Sequence, residues 1–205
     1  MNHLDRVIQV VGREPGDPAG PFFVASGVLL ADDLALTAAH AIRDTTDGTP
    51  DGVRYEVRPS AGAGKPLRVS RVVPHPGRDL ALLVLDPDGT APEPLGPPLR
   101  FAELPHTIGQ TDVHSVGFPR FAVEGSRPRS HQIDATVQLG SDRTGHQLQL
   151  SVLSSDPPPA APGRSPWSGF SGAGVLTKAE GLLAGIVTSH RPSGDRRTTT
   201  TTDLT

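Results

Sequence analysis

Cysteine is absent from this 205-residue chain, and its absence excludes several kinds of chemistry. Disulfides, thiolate nucleophiles and zinc sites with sulfur ligands are all ruled out. Aromatic residues are scarce as well, with one Trp, one Tyr and six Phe. Charge of one sign is not concentrated anywhere, because 19 basic and 22 acidic residues are spread along the chain. We therefore expect no partner among nucleic acids or anionic membranes.

Long apolar runs are also missing. No segment approaches the roughly 20 apolar residues of a membrane helix, and the residues after Met1 do not form a signal peptide. From these absences we expect a cytoplasmic protein. Arginine outnumbers lysine 17 to 2 in a chain rich in Ala, Gly and Pro, which is typical of bacterial sequences of high GC content.

Turn-forming residues are abundant. The 23 glycines and 22 prolines make long helices improbable and exclude an all-helical bundle. Short runs rich in Val, Ile, Leu and Thr lie between the turns and predict many short strands. Six predicted strands precede the middle of the chain (6–11, 22–30, 34–38, 53–58, 67–73 and 80–85), and six follow it (112–117, 130–139, 146–153, 173–176, 182–189 and 197–202).

The predicted strands fall into two sets of six, separated by a proline-rich segment at 86–105. This pattern predicts an all-β fold of two six-stranded antiparallel barrels, since closing each sheet removes its exposed edges. We expect one barrel in residues 1–90, a connection at 91–108 and the other barrel in 109–205. Two long loops are predicted at 120–129 and 154–168, and a single helical turn at 38–43.

Three segments carry residue types suited to nucleophilic catalysis. In Thr37-Ala-Ala-His40, small residues let an imidazole fit a crowded cleft. Asp79 precedes a strongly apolar strand, where it would be partly buried and could fix the tautomer of a histidine. In Gly169-Phe-Ser171-Gly172, a serine stands among glycines whose N–H groups can turn toward an oxyanion. Each segment alone also fits a surface histidine, a strand start or a flexible loop.

Chain order distinguishes the known arrangements of a catalytic triad. A nucleophile elbow, Gly-x-Ser-x-Gly, needs a glycine where this chain has Ala173, and the order Ser, Asp, His is not available after Ser171. The order Asp, His, Ser, beginning at Asp32 or Asp33, belongs to a parallel sheet with helices that this composition does not predict. Only His40, Asp79 and Ser171 agree with both the motif and the predicted fold.

These segments resemble the signatures of the chymotrypsin or trypsin-like serine peptidase family. The spacings of 39 residues from His40 to Asp79 and 92 from Asp79 to Ser171 suit a compact bacterial member. The segment 113–119 is similar to the strand that opens the second barrel in bacterial members. The segment 167–175 resembles the serine loop of trypsin-like modules fused to bacterial signalling and conflict proteins.

The resemblance implies a serine endopeptidase that cuts protein or peptide substrates through an acyl-enzyme, with its active site between the barrels and without metal or cofactor. His40 would be the general base, Asp79 its orienting carboxylate and Ser171 the nucleophile. The amides of Gly169 and Ser171 would form the oxyanion hole.

The family also places four residues around the specificity pocket. Ser165 falls at its base, and Thr188, Ser189 and His190 fall along its wall or offer backbone to the substrate. Ser165 carries no charge, so we expect small, apolar or acidic residues before the cut, and no preference for Arg or Lys.

Three features depart from the family pattern. Phe170 replaces an acid that many secreted members carry before the nucleophile, and the chain has no cysteines to form disulfides. The sequence stops at Thr205, where family members continue into a C-terminal helix. We therefore expect an effector module of a larger protein, whose serine loop is set by other domains of the same polypeptide or by assembly.

Two other classes of function compete with an active peptidase. A degenerate peptidase could bind a partner peptide without cutting it, because fold does not guarantee chemistry. A metal hydrolase using His40, His75 and a carboxylate is the weaker alternative, since the sequence lacks a His-Glu-x-x-His or comparable ligand spacing.

Overall fold

The computed structural model describes residues 3–14, 22–45, 53–60, 65–86, 96–105, 107–124, 127–140, 147–154, 157–158, 165–189 and 198–203. Strands dominate these residues. The first set is β1 (Val7–Arg13), β2 (Phe22–Ala31), β3 (Leu34–Thr37), β4 (Arg54–Pro59), β5 (Leu67–Pro74) and β6 (Ala81–Asp86). They close into an antiparallel barrel in the order β1-β2-β3-β6-β5-β4.

The second barrel forms from later strands. They are β7 (Gln110–Gly117), then the short β8 (Val123–Glu124) and β9 (Arg127–Pro128), and then β10 (His131–Gln138), β11 (Gln147–Val152), β12 (Gly174–Thr177), β13 (Leu183–Ser189) and β14 (Thr198–Asp203). The second barrel closes in the order β10-β11-β14-β13-β12-β7, and β8 pairs only with β9. The predicted fold class of two six-stranded antiparallel barrels is confirmed.

Alternation of side chains explains how each barrel acquires its core. In β6 the inward residues Ala81, Leu83 and Leu85 are buried, as expected for a strand with one face on the core. In β10, Ile133 and Ala135 lie in the core of the second barrel. The strands that the sequence predicts as short apolar runs therefore supply the inward-facing residues that fill the barrels.

The twelve predicted strands agree with the observed strands of the barrels to within two residues at each end. The predicted loop at 120–129 is partly wrong, because it contains the hairpin of β8 and β9. The predicted helical turn is a 3₁₀ turn at Ala39–Thr45, and a second 3₁₀ turn occupies His3–Arg6. Neither of these helical segments of the described chain is a candidate for crossing a membrane.

The described part of the proline-rich segment, residues 96–105, is bonded to both barrels. The Leu99 N–H donates to the carbonyl of Leu30 in β2 at 2.8 Å. The Ala102 N–H donates to the carbonyl of Leu183 in β13 at 2.9 Å. This connection therefore fastens one barrel to the other, although the sequence predicts only a linker there.

Arg6 strengthens the same junction from inside the protein. It is almost fully buried, with 1% of its surface exposed. Its guanidinium donates to the carbonyls of Leu29 at 3.2 Å, Leu30 at 3.1 Å and Pro97 at 2.7 Å. These three carbonyls gain charge-assisted hydrogen bonds in this way, and the first barrel is joined to the connection that follows it.

Candidate active site

A continuous line of hydrogen-bonding groups joins Asp79, His40 and Ser171. Asp79 Oδ2 lies 2.7 Å from His40 Nδ1, and Asp79 Oδ1 accepts the backbone N–H of His40 at 2.7 Å. On the other side of the imidazole, Nε2 lies 3.1 Å from Ser171 Oγ. With the ring proton on Nδ1, the imidazole donates to Asp79 and Nε2 accepts the serine hydroxyl. The structure thus brings together the three residues that the sequence predicts as a triad.

Strand pairing explains how His40 and Asp79 meet. Strands β3 and β6 are antiparallel, and Thr37 at the end of β3 lies opposite Ala81 at the start of β6. The residues that follow β3 and those that precede β6 therefore leave the sheet at the same edge. His40 lies in the 3₁₀ turn after β3, and Asp79 lies in the turn before β6.

Ser171 is presented by a turn before β12 in the second barrel, next to Gly169. Gly169 has a φ of 90°, a left-handed conformation that favours glycine. Within the described part of the chain, the amide N–H groups of Gly169 and Ser171 donate to no other residue. Free amide donors beside a serine hydroxyl can stabilise an oxyanion, which is the role that the resemblance implies for these two.

Ser26 of β2 braces this turn from the first barrel. Its N–H donates to the Ser171 carbonyl at 2.9 Å, and its hydroxyl donates to the Gly169 carbonyl at 2.7 Å. The same hydroxyl accepts the N–H of Phe118 at 2.8 Å, and the Ser26 carbonyl accepts the Thr37 hydroxyl at 2.7 Å. Sequence analysis missed Ser26, although a serine between alanine and glycine in an apolar strand was a weak signal of a special position.

Close packing makes glycine necessary at position 172. Gly172 has a φ of 87°, and a Cβ added there would lie 2.1 Å from the Ser26 carbonyl oxygen and 2.3 Å from the Thr37 hydroxyl. The two barrels touch here without room for a side chain. The Gly172 N–H donates to the Val187 carbonyl at 2.7 Å, which fixes the turn against β13.

Aromatic side chains support the turn from within the second barrel. The aromatic cluster consists of Phe121, His131, Trp167 and Phe170. Trp167 packs edge-on against Phe170, with ring centroids 5.5 Å apart, and against Phe121 at 5.7 Å. Phe170 is fully buried, so the position next to Ser171 is held by packing and by its N–H bond to the Trp167 carbonyl at 2.9 Å.

His131 is the titratable member of the aromatic cluster. Its ring lies edge-on to Phe121, with centroids 5.1 Å apart, and tilted toward Trp167 at 6.3 Å. Burial lowers the pKa of His131 below its usual value, because the charged imidazolium loses hydration there.

A cleft of about 220 Å³ lies between the barrels beside Ser171. Its lining residues are His40 from the first barrel and Ser165, Trp167, Ser168, Ser171, Val187 and Ser189 from the second. The sequence predicts Ser165 and Ser189 near the substrate, and both line the cleft. Trp167, Ser168 and Val187 line it as well and were missed as site residues.

Two other predicted pocket residues have different outcomes. Thr188 is buried and does not line this cleft, although its neighbours Val187 and Ser189 do. His190 lies outside the described residues. Across the described residues, His, Asp and Glu side chains form no group of three that could hold a metal ion.

The sequence profile of the trypsin-like peptidase domain matches residues 25–186, which include His40, Asp79 and Ser171. The chain belongs to the trypsin-like peptidase domain family. Comparison with curated protein sequences gave no significant match.

Solved structures agree with this membership of the trypsin-like peptidase family at the level of the fold. A Glu endopeptidase in complex with MPD has a TM-score of 0.67 and 13% identity, covering 98% of this chain and 86% of that chain. The thermostable serine protease AL20, from an extremophilic microorganism, has a TM-score of 0.66 and 14% identity, covering 98% and 91% respectively. An inactive form of Rv3671c protease has a TM-score of 0.61 and 19% identity, covering 98% and 85%.

Proposed function

We propose that this chain is a serine endopeptidase that hydrolyses peptide bonds of protein substrates through an acyl-enzyme. The observation that carries the proposal is the hydrogen-bonded line from Asp79 through His40 to Ser171, at 2.7 and 3.1 Å. Family membership supports it, because a trypsin-like fold presents a peptide to a serine between its barrels.

The chemistry follows from the position of each proton. As Ser171 Oγ attacks the carbonyl carbon, its proton moves to His40 Nε2, and the resulting imidazolium is stabilised by Asp79. His40 then gives that proton to the leaving amine, and the C–N bond breaks to leave an ester on Ser171. Water attacks the ester with His40 again as base, which releases the acid product and restores the serine.

When Ser171 attacks, negative charge develops on the carbonyl oxygen of the substrate, and hydrogen-bond donors are needed to stabilise it. The Gly169 and Ser171 amides are suited to this role because they share one tight turn and donate to none of the described residues. Removal of one such donor typically costs about 100-fold to 1,000-fold in kcat. The hydrogen bond from Ser26 to the Gly169 carbonyl supports the role of the turn by fixing its orientation.

We propose that the cleft accepts a small, apolar or acidic side chain before the cut. Serine hydroxyls, Trp167 and Val187 line the described cleft, and neither an Asp nor a Glu is among its described lining residues to attract a basic side chain. A peptide library profile rich in small, apolar or acidic residues supports this specificity. A profile dominated by Arg or Lys contradicts it.

We also propose that the chain acts as an effector module. Phe170 cannot accept an ion pair from a newly cut N-terminus, so trimming near Met1 is not expected to activate it. The aromatic cluster holds the serine turn by packing, and a docked domain can tighten or loosen such packing. To test this, fluorophosphonate labelling of Ser171 is compared between residues 1–205 alone and any longer protein that contains them. Equal labelling in the two overturns regulation by neighbouring domains.

A fluorophosphonate probe tests the proposed activity directly, because it reacts with an activated serine. Intact-mass measurement is expected to show one adduct on the unchanged protein and none on Ser171→Ala. Ser70→Ala is the matched control, since Ser70 is an exposed serine on β5 whose hydroxyl, among the described residues, donates to the Val84 carbonyl alone, and its adduct is expected to remain. If the folded, unchanged protein forms no adduct, the proposal of an active peptidase fails.

A further inference from the structure

A second cleft lies on the first barrel, where β1, β4 and β5 adjoin. Its volume is about 260 Å³, and it shares no lining residue with the cleft beside Ser171. The lining residues are Arg13, Arg54, Tyr55, Glu56, Pro66 and Arg68. We refer to this feature as the arginine cleft.

Strand register brings three arginines together there. Arg13 of β1 lies directly opposite Arg54 of β4, and Glu56 of β4 lies opposite Arg68 of β5. Because Arg54 and Glu56 are two residues apart on one strand, all four side chains share the outer face of the barrel. Like charges directly opposite each other destabilise a sheet, so the pairing of Arg13 with Arg54 costs stability unless an anion lies between them.

Within the described chain, the nearby acidic residues form no ion pairs with these three arginines. Glu56 is engaged by Arg58, whose Nε donates to it at 2.9 Å. Asp86 lies opposite Arg68 on β6 but forms no ion pair with it. Among the described residues, Arg13, Arg54 and Arg68 bond to no carboxylate, and all three are exposed.

We propose that the arginine cleft is an exosite that binds an acidic segment of a protein substrate through its Asp and Glu carboxylates. Each guanidinium presents a planar fork of N–H donors that matches a carboxylate, and three of them lie around one cavity. The exosite rests on the proposed peptidase function for its role, which is to hold a substrate while Ser171 cuts elsewhere along it.

An acidic peptide fits this surface better than a nucleic acid does. Binding to nucleic acid requires basic residues along a stripe that follows many phosphates. Here the chain has a net charge of −3, and the arginines surround a cavity with room for a few side chains. The three arginines attract negative charge only locally, whereas the protein as a whole is negatively charged. A short acidic peptide segment is therefore favoured over a long nucleic acid.

Direct binding tests the exosite independently of catalysis. The protein carries Ser171→Ala, and fluorescence anisotropy follows a fluorescein-labelled peptide of alternating Asp, Glu and Gly at low salt. The double variant Arg54→Glu, Arg68→Glu is expected to bind at least about tenfold more weakly, since attraction becomes repulsion. Affinity is also expected to fall as salt is raised.

The matched controls replace charges outside the arginine cleft. Arg71→Glu with Arg100→Glu changes two exposed arginines that do not line it, so the net charge falls equally and peptide binding is expected to remain. Equal loss in both double variants, or no binding by the parent Ser171→Ala protein, overturns the proposal. Tighter binding of single-stranded DNA of matched charge overturns the assignment to a peptide.

Kinetics then separates the exosite from the proposed peptidase function. On a short uncharged peptide substrate, Arg54→Glu, Arg68→Glu is expected to leave kcat/KM unchanged. On the same peptide joined by a flexible linker to the acidic segment, the double variant is expected to lose about tenfold or more in kcat/KM. If the unchanged protein cuts neither substrate, the peptidase proposal fails, while the anisotropy result still decides whether the arginine cleft binds acidic peptides.

Discussion

The Ser26 hydroxyl donates a 2.7 Å hydrogen bond to the carbonyl of Gly169, which lies 143 residues later in the chain. Ser26 belongs to the first barrel, whereas Gly169 belongs to the turn that presents Ser171. Rotation of the peptide unit that follows Gly169 would break this bond and leave a carbonyl without its donor. The first barrel therefore helps to decide the conformation of a turn in the second.

Replacement of Ser26 by alanine is expected to loosen that turn. The Gly169 carbonyl loses its donor and the Phe118 N–H loses its acceptor, so the free energy of unfolding is expected to fall by about 1 to 3 kcal/mol. Misplacement of the Ser171 turn is expected to lower kcat up to about 100-fold, with a smaller effect on KM. Steady-state kinetics and thermal unfolding measure the two effects.

Ser70→Ala is the control for Ser26→Ala, because it also removes a hydroxyl bonded to a backbone carbonyl. Its kcat is expected to match that of the unchanged protein. If Ser26→Ala lowers stability but leaves kcat and the rate of fluorophosphonate labelling intact, Ser26 has a structural role only.

Replacement of Asp79 by asparagine tests the orientation of His40. Asparagine can still accept the His40 backbone N–H, but its amide no longer stabilises the imidazolium or favours a proton on Nδ1. We expect kcat to fall by about 10⁴-fold with little change in the thermal midpoint. Asp86→Asn, at the exposed end of β6, is the control, and a loss of less than tenfold in Asp79→Asn would contradict the role of Asp79.

Alanine at Gly172 is expected to separate the barrels locally or prevent folding. A methyl group there meets the Ser26 carbonyl at 2.1 Å, and the φ of 87° strains any residue other than glycine. Gly140→Ala is the control, since an added Cβ there meets nothing within 4 Å. Thermal unfolding is expected to show a large loss only for Gly172→Ala, and similar midpoints for both variants would refute the close contact.

His131 is expected to make the protein less stable in acid. Because burial lowers the pKa of His131 in the folded state, the unfolded chain binds the proton more tightly. The free energy of unfolding therefore falls as the pH drops below about 6.5, the usual pKa of histidine. The loss is complete once the pH lies below the pKa of His131 in the folded state.

His131→Phe keeps a ring in the aromatic cluster and removes this titration. Thermal midpoints measured from about pH 5 to about pH 8 are expected to fall less on the acid side for His131→Phe than for the unchanged protein. His75→Phe replaces an exposed histidine and serves as the control. An identical decline in all three proteins would show that His131 does not contribute.

Local patterns in the sequence account for most of the fold. β6 is a continuous apolar run and β10 alternates apolar with polar residues, and both lie between turn signals, so the sequence predicts their ends closely. The two-residue strands β8 and β9 are too short to show any alternation, and their hairpin was missed. A strand of two residues is recognised only from its hydrogen-bonded pairing with another strand, which the sequence does not show.

The residues of the candidate site also fall into those that the sequence predicts and those that it misses. His40, Asp79 and Ser171 stand in recognisable segments, whereas Ser26 acquires its role only from partners far along the chain. The arginine cleft was also missed, because its arginines come from three different strands. The register of the strands places the three arginines together. Counting charges along the sequence shows no basic block and so does not predict this cleft.

The bonds that hold the Ser171 turn within the second barrel also imply an order of events during synthesis. The turn around Ser171 depends on Gly172 bonding to Val187 in β13, and β14 closes the second barrel by pairing with β11 and β13. A ribosome delivers β1 to β12 before these strands, so a nascent chain already contains the His40 and Ser171 side chains without the frame that holds them together. We therefore expect the Ser171 hydroxyl to meet His40 only after β13 and β14 have been synthesised, so that an unfinished chain does not yet hold the assembled site.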